Sequence, residues 1–376
     1  MNLKNNLILI YYFLSLIIFS FFADDNSYLV ENIIIPYIHQ SFLGIHFTLS
    51  VVIIIMLFLI RTNKIIIDCI LIFLISRIVC TLIPILYIDV LNEPIGRLSV
   101  PIIALIAYYI GRQYTGQINE IVKINIMFMI ILSIQTIYTV VNMTVPYDYL
   151  YAQYIKIPLA SSNLIAAYIN PCIFLTLASY HGNLIIKFLF LIISFITIIL
   201  TTSTGAILIF SFMILIIYIF LNQNINKRIK IVSGIILILS LTVFLWNSDS
   251  SLNTLTHGRS DLIFNDLEGF YNNVLFGNGM NYENRGSGTH NILIDLLYQN
   301  GIVGFVLYII PLTVIFSRIY SNKSIIPELL GCTLFLTAAF FESLIETSYF
   351  NYSNDMIFWF MAGITIAQIK MKNIVL

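Results

Sequence analysis

Charge is what this chain lacks. Of its 376 residues, 18 are Lys or Arg and 18 are Asp or Glu, so charged residues make up only 10%, against roughly 25% in an average soluble domain. A water-facing surface cannot be assembled from so few charges. The formal balance is zero, which removes the basic footprint that nucleic-acid binding needs. Disorder is excluded from the other side. It requires low hydrophobicity and high net charge, and 59% of this chain is hydrophobic. Cysteine is scarce: Cys69, Cys80, Cys172 and Cys332 all lie in apolar stretches, and none has C-x-x-C or metal-ligand spacing. They read as small core-filling residues, and no disulfide framework follows. No Gly-rich phosphate loop or nucleotide motif occurs in the short connections, which argues against an ATP-driven machine.

What the chain does have is apolar runs of near-bilayer length. Twelve are counted, at about 7–22, 42–60, 65–88, 98–111, 121–141, 163–180, 184–201, 204–221, 229–246, 290–317, 325–345 and 354–369. Each approaches the roughly 20 residues that cross a bilayer as helix. The runs are continuous and do not alternate, so helices are expected and a barrel is not. Two short helices are expected around Thr201-Thr202-Ser203-Thr204-Gly205. The first run, which follows Lys4 and ends near Phe22-Ala23-Asp24, reads as a retained span in preference to a cleaved signal peptide. With the N-terminus placed in the cytoplasm, 13 of the Lys and Arg residues fall inside. Only Arg97, Lys156, Arg259 and Arg285 fall outside, and Arg77 lies within a span. This asymmetry follows the positive-inside rule and puts both termini in the cytoplasm. The expected fold is therefore an all-α polytopic membrane protein with about twelve transmembrane helices, one integral membrane domain over residues 1–376. Residues 247–289 form its single long outer loop, between the ninth and tenth spans.

That loop carries its own pattern. From Asp261 to Leu275 the apolar residues Ile263, Leu267, Phe270 and Val274 recur at helical spacing. The spacing predicts a short amphipathic helix that lies on the outer interface or caps the bundle. Gly277-Asn278-Gly279 is expected to end it, and Thr289 to cap the span that follows. Two placements carry chemistry. Arg259 stands at the head of the amphipathic helix, where a guanidinium can grip a phosphate through two parallel hydrogen bonds. His290 stands at the N-terminus of a membrane helix, whose dipole disfavours imidazolium and leaves an imidazole able to accept a proton. Their plainer readings are a headgroup anchor and an interfacial side chain. His39, His46, His181 and His257 lack ligand spacing, so neither a metal nor another cofactor is expected. Arg77 is the one charge deep in a span. Asp68 and Asp89 lie too far along the same helix to touch it. Tyr147, Tyr149, Tyr151 and Tyr282 are outer-face rings able to stack on sugars, with nothing in the sequence to choose among them.

These residues also carry a family resemblance. His290-Asn291, nine residues, Gly301, two residues and Gly304 resemble the signature of the O-antigen ligase and Wzy-type O-antigen polymerase superfamily. Arg259 with Leu262-Ile263-Phe264 is similar to that family's loop arginine before an amphipathic helix. Phe276-Gly277-Asn278-Gly279 resembles its glycine turn, and Asn163 with Ala166 and Ala167 resembles its small-residue entry to the sixth helix. The resemblance is topological over the whole chain and motif-specific over 259–304. It implies a bacterial inner-membrane enzyme whose long loop is periplasmic. Its partners would be polyprenyl-pyrophosphate-linked oligosaccharides, the lipid bilayer and a chain-length regulator. It implies polymerisation of O-antigen or a related surface polysaccharide without metal. His290 would act on the acceptor hydroxyl, and Arg259 would neutralise the departing pyrophosphate. Where many relatives carry Ser-Arg-Gly this chain has Ser203-Thr204-Gly205, so a second phosphate contact must come from elsewhere. Lys156 is the first candidate, with Arg285, Arg97 and Asn291 as further substrate-binding residues. Transfer of finished polymer to lipid A-core, the ligase reaction, is the alternative within the superfamily. A flippase of lipid-linked sugars is the alternative outside it, disfavoured by the absence of an internal repeat and by the few intramembrane charges. A purely structural scaffold gives no reason for the His-Asn and Arg pattern.

Overall fold

The computed structural model describes residues 3–21, 41–42, 45–46, 68–86, 99–141, 162–201, 203–216, 259–279, 291–321, 327–345 and 352–375. Among them are eleven α-helices: α1 Leu3–Phe21, α2 Cys69–Leu82, α3 Ser99–Arg112, α4 Ile118–Val141, α5 Ser162–Ser179, α6 Leu184–Leu200, α7 Thr204–Ile216, α8 Arg259–Phe270, α9 Ile292–Ser321, α10 Pro327–Ser343 and α11 Tyr352–Val375. A 3-10 turn, Ile83–Leu86, extends α2. Ten of the twelve expected apolar runs coincide with these helices, and α8 occupies the expected amphipathic stretch. The run 229–246 lies outside the described residues. At the start of the run 42–60, Ser41–Phe42 pairs with Ile45–His46 as a two-residue antiparallel ladder (β1 and β2), where helix was expected. Among the described residues two helices are long and apolar enough to cross a membrane, Ile118–Tyr138 and Ile292–Ile319, and seven shorter helices are also apolar. The chain is thus a helical protein of membrane character, and the described residues do not amount to twelve crossings.

Polar contacts sort the helices onto two ends. At one end Lys4 Nζ donates to Gln113 Oε1 at 2.8 Å, Thr115 N donates to Asn5 Oδ1 at 3.2 Å, and Gln368 Nε2 donates to the Gly116 carbonyl at 3.0 Å. The start of α1, the α3–α4 connection and the last turns of α11 therefore meet. Asp68 joins them there. It caps α2 by accepting from Leu71 N at 3.0 Å, and its other oxygen accepts from Tyr108 at 2.8 Å and from Arg112 Nε at 3.0 Å. Asp68, expected to lie too far from Arg77 to touch it, is thus engaged on α3. At the opposite end Asn291, which opens α9, reaches the Leu344 carbonyl just past α10 at 3.0 Å.

Small residues let the helices approach. A Cβ on Gly111 of α3 would run into the Phe360 carbonyl of α11, and one on Gly363 would run into the Tyr108 carbonyl. The two glycines face each other's backbone, which is how helices associate closely where no water drives them together. Around that contact Trp359 is fully buried and packs edge-on against Tyr108 and Tyr308, with centroids 6.4 and 6.2 Å away. A second internal knot centres on Asn125 of α4. Its Oδ1 accepts from Tyr12 at 2.9 Å, Tyr168 at 2.8 Å and Cys172 at 3.6 Å. Cys172 is therefore a core residue with a weak donor role, in keeping with its expected structural use. All four cysteines are free.

Candidate functional site

The site grows from a break in α9. Gly301 has φ 62 and ψ −167 inside an otherwise helical run, a conformation essentially confined to glycine. A break of this kind frees backbone groups that helix would have satisfied, and inside a bundle they must find partners. They find them in the segment that follows α8. Ile302 N donates to the Val274 carbonyl at 2.9 Å and Val303 N to the Leu275 carbonyl at 3.1 Å. In return Asn278 N donates to the Tyr298 carbonyl at 2.7 Å and Gly279 N to the Gln299 carbonyl at 2.9 Å. Residues 274–279 are thereby laced to residues 298–303. Gly277, at φ 73, presses against the Gln299–Asn300 peptide so closely that a Cβ would overlap it. Side chains tighten the turn. Asn278 Nδ2 donates to the Gly269 carbonyl at 2.8 Å, and Asn273 Nδ2 donates to Asn278 Oδ1 at 2.7 Å.

These bonds explain where α8 stops. The helix was expected to run to Leu275 but ends at Phe270. From Tyr271 the chain folds into tight turns, and the Gly269 carbonyl is claimed by Asn278. The packed face of α8 is offset from the expected apolar face: Ile263, Leu267 and Phe270 are half-buried and Val274 is 36% exposed, whereas Asp266 is buried. Gly269 packs on the Tyr298 ring of α9. The helix therefore meets the bundle through a face centred on Asp266 and flanked by Ile263, Gly269 and Phe270, while Phe264, 67% exposed, faces outward.

On its other flank the break meets α2. Asn300 Nδ2 donates to Thr81 Oγ1 at 3.5 Å, and Cys80 Sγ donates to the Asn300 carbonyl at 3.7 Å. Gly304 leaves room for the Asn300 and Cys80 side chains.

Six residues before the break, toward the start of α9, lies Asp295, buried. The start itself is capped by Asn291, whose Oδ1 accepts from Leu293 N at 3.0 Å and Ile294 N at 3.3 Å. Asn291 thus fills the capping role expected of Thr289. Close by is a carboxylate that the sequence reading did not single out. Glu342, 2% exposed near the end of α10, accepts from Asn170 Nδ2 of α5, which also donates to the Ala206 carbonyl at 2.9 Å. Ala206 follows Ser203-Thr204-Gly205, and Gly205 packs on Ile345. Glu342, Leu344 and Ile345 thus connect the α9 start, the α6–α7 turn and α5. An acidic residue inside an apolar run was the signal available for Glu342.

Of the site residues expected from sequence, Asn291 is described in full and Arg259 is the first residue of α8. His290, Lys156, Arg285 and Arg97 lie outside the described residues, as do Thr289, Tyr147, Tyr149, Tyr151 and Tyr282. Asn163 is half-buried on α5, and Ala166 and Ala167 are buried there. Among the described residues no group of three or more His, Cys, Asp or Glu side chains is arranged to hold a metal ion. Comparison with protein-family models and with curated proteins gives no match to this chain.

Proposed function

We propose that the chain is a membrane-embedded glycosyl-transfer enzyme that joins polyprenyl-pyrophosphate-linked oligosaccharides into O-antigen or a related surface polysaccharide. In this reading it crosses the bacterial inner membrane twelve times, with both termini in the cytoplasm and the 247–289 loop in the periplasm. The observation that carries the reading is the lacing of residues 274–279 to residues 298–303. Four backbone bonds join the segment that ends in the glycine turn to the segment around Gly301, so the two stretches that most resemble the ligase and polymerase superfamily lie side by side. That unit connects α8, headed by Arg259, to the first half of α9, preceded by His290. A broken helix lined by small residues is where membrane proteins commonly build binding sites.

The chemistry follows from the residue types. The donor's pyrophosphate is already a leaving group, so bond formation requires only that its developing charge be neutralised and that the acceptor hydroxyl lose its proton. Arg259 supplies the fixed positive charge, and His290 accepts or orients the proton. The new glycosidic bond forms as the sugar–phosphate bond breaks, and polyprenyl pyrophosphate departs. Glu342 and Asn170 act behind this site, fixing the α6–α7 turn and the end of α10 against the α9 start. Lys156 is the first candidate for a second phosphate contact. The test is reconstitution. Purified protein in proteoliposomes, given lipid-linked repeat units and no nucleotide, should produce a ladder of lipid-linked oligomers. Transfer to lipid A-core without oligomers would identify a ligase. Movement of the lipid-linked unit between leaflets without bond formation would identify a flippase.

A further inference from the structure

The bundle interior contains a charge pair that the proposed chemistry does not use. Arg77 of α2 and Asp355 of α11 are 2% and 0% exposed, and Arg77 Nη1 lies 3.7 Å from Asp355 Oδ2. The pair is poorly served by hydrogen bonds. Among the described residues, Nε, Nη1 and Nη2 of Arg77 have no hydrogen-bond partner, nor does Asp355 Oδ2. Asp355 Oδ1 accepts from Trp359 Nε1 at 3.0 Å, and the guanidinium carbon stands 5.5 Å from the centre of the Tyr308 ring on α9. Two charges withdrawn from water at this separation, with their donors unmet, contribute little net stability, and well-packed apolar residues would do as well. What such a pair does provide is register: only one axial placement of α2 against α11 brings the charges together.

That register is transmitted to the break in α9. The Arg77 carbonyl accepts from Thr81 Oγ1 at 2.9 Å, and Thr81 in turn accepts from Asn300. The next residue toward Arg77, Cys80, bonds the Asn300 carbonyl. One helix therefore presents Arg77 to α11 and Tyr308, and one turn later presents Cys80 and Thr81 to the residue just before Gly301. We propose that Arg77 and Asp355 are positioning residues for glycosyl transfer. By fixing α2 against α11 they set the depth at which Cys80 and Thr81 hold Asn300, and so hold the α9 break and the turn laced to it in the productive arrangement. The inference rests on the proposed glycosyl transfer for its functional half and on the charge pair alone for its mechanical half.

The test uses the full chain in nanodiscs and proteoliposomes. Asp355→Asn leaves a buried guanidinium without a counter-charge and is expected to insert poorly. The informative variant therefore removes both charges, Arg77→Met with Asp355→Leu, and should insert and unfold no more easily than wild type. Amide exchange at Asn278, Gly279, Ile302 and Val303 should nevertheless accelerate. Extension of lipid-linked repeats should fall roughly a hundredfold in kcat, the scale of a small misplacement of reacting groups, with KM unchanged. Arg77→Lys keeps the pair, which runs through a single guanidinium nitrogen, and should restore both exchange and turnover. Wild-type exchange and turnover in the double-neutral variant would overturn the proposal, as would accelerated exchange with unaltered turnover. A wild-type protein that extends nothing, paired with a double-neutral variant that exchanges faster, would overturn the glycosyl-transfer reading and leave the mechanical coupling standing.

Discussion

Gly301 is where a single residue carries most of the local structure. Its φ of 62 and ψ of −167 fall where a side chain is strained, at a cost of roughly 1–3 kcal/mol. An added Cβ would also meet the backbone of Leu275 and Phe276. Gly301→Ala should therefore lower the unfolding temperature in detergent and unlace the turn, detected as lost amide protection at Ile302 and Val303. An unchanged melt and unchanged protection would mean that the break does not exist in solution. The two chemical residues make separable predictions. His290→Ala should leave a folded protein that stops at single repeat units, and His290→Gln, which keeps a hydrogen bond without the basicity, separates orientation from proton transfer. Near-normal ladders from His290→Gln would restrict the imidazole to orientation. Arg259→Ala should lose roughly a hundredfold to a thousandfold in rate, the usual consequence of removing one electrostatic contact to developing charge. Arg259→Lys should lose less, since it keeps the charge without the planar fork. A full-length ladder from Arg259→Ala would reduce the residue to a headgroup anchor.

At the scale of elements, the sequence was most legible where one property repeats. Continuous apolar runs located ten helices, and the 3.6-residue spacing located α8. Legibility failed where the deciding partner lay far along the chain. The end of α8 was placed at Leu275 because Val274 continued the pattern, yet Asn278 and the α9 break take over the backbone from Gly269 onward. Gly301 and Gly304 were visible as a string, but nothing in one dimension says that the first bends the helix and the second makes room for Asn300 and Cys80. The partner of Arg77 was sought on its own helix and sits on α11, 278 positions later by number, at Asp355. The close crossing of α3 and α11 escaped for the same reason, since Gly111 and Gly363 acquire meaning only when they face each other. Their packing is itself testable. Gly363→Leu would push side-chain volume into the Tyr108 and Gly111 backbone and should destabilise the protein by more than roughly 1–3 kcal/mol, the range for overpacking an adaptable core, because backbone cannot repack. A melting curve like wild type would show that the two helices do not cross there.

For the whole molecule, the polar contacts supply an order that the Lys and Arg asymmetry alone could only suggest. Lys4 and Asn5 at the start of α1, Gln113 to Gly116 between α3 and α4, and Gln368 near the end of α11 are bonded together at one end. Asn291 and Leu344 meet at the other. Whichever side of the membrane holds the first group must therefore hold the beginning of the chain, the α3–α4 connection and the last turns of α11 alike. In the proposed reading that side is the cytoplasm, since Lys4, Arg112, Lys123 and Lys370 all belong to this end or its margin and the positive-inside rule would place them there. A phosphatase that works only outside the cytoplasm, fused after Gly116 or after Leu376, should thus be silent, and the same enzyme fused after Asn253 should be active. Activity after Gly116 with silence after Leu376 would break the link between the α3–α4 connection and α11. Activity after both, with silence after Asn253, would keep the fold but invert it, and would put Arg259 and His290 on the side opposite to the one the proposed function requires.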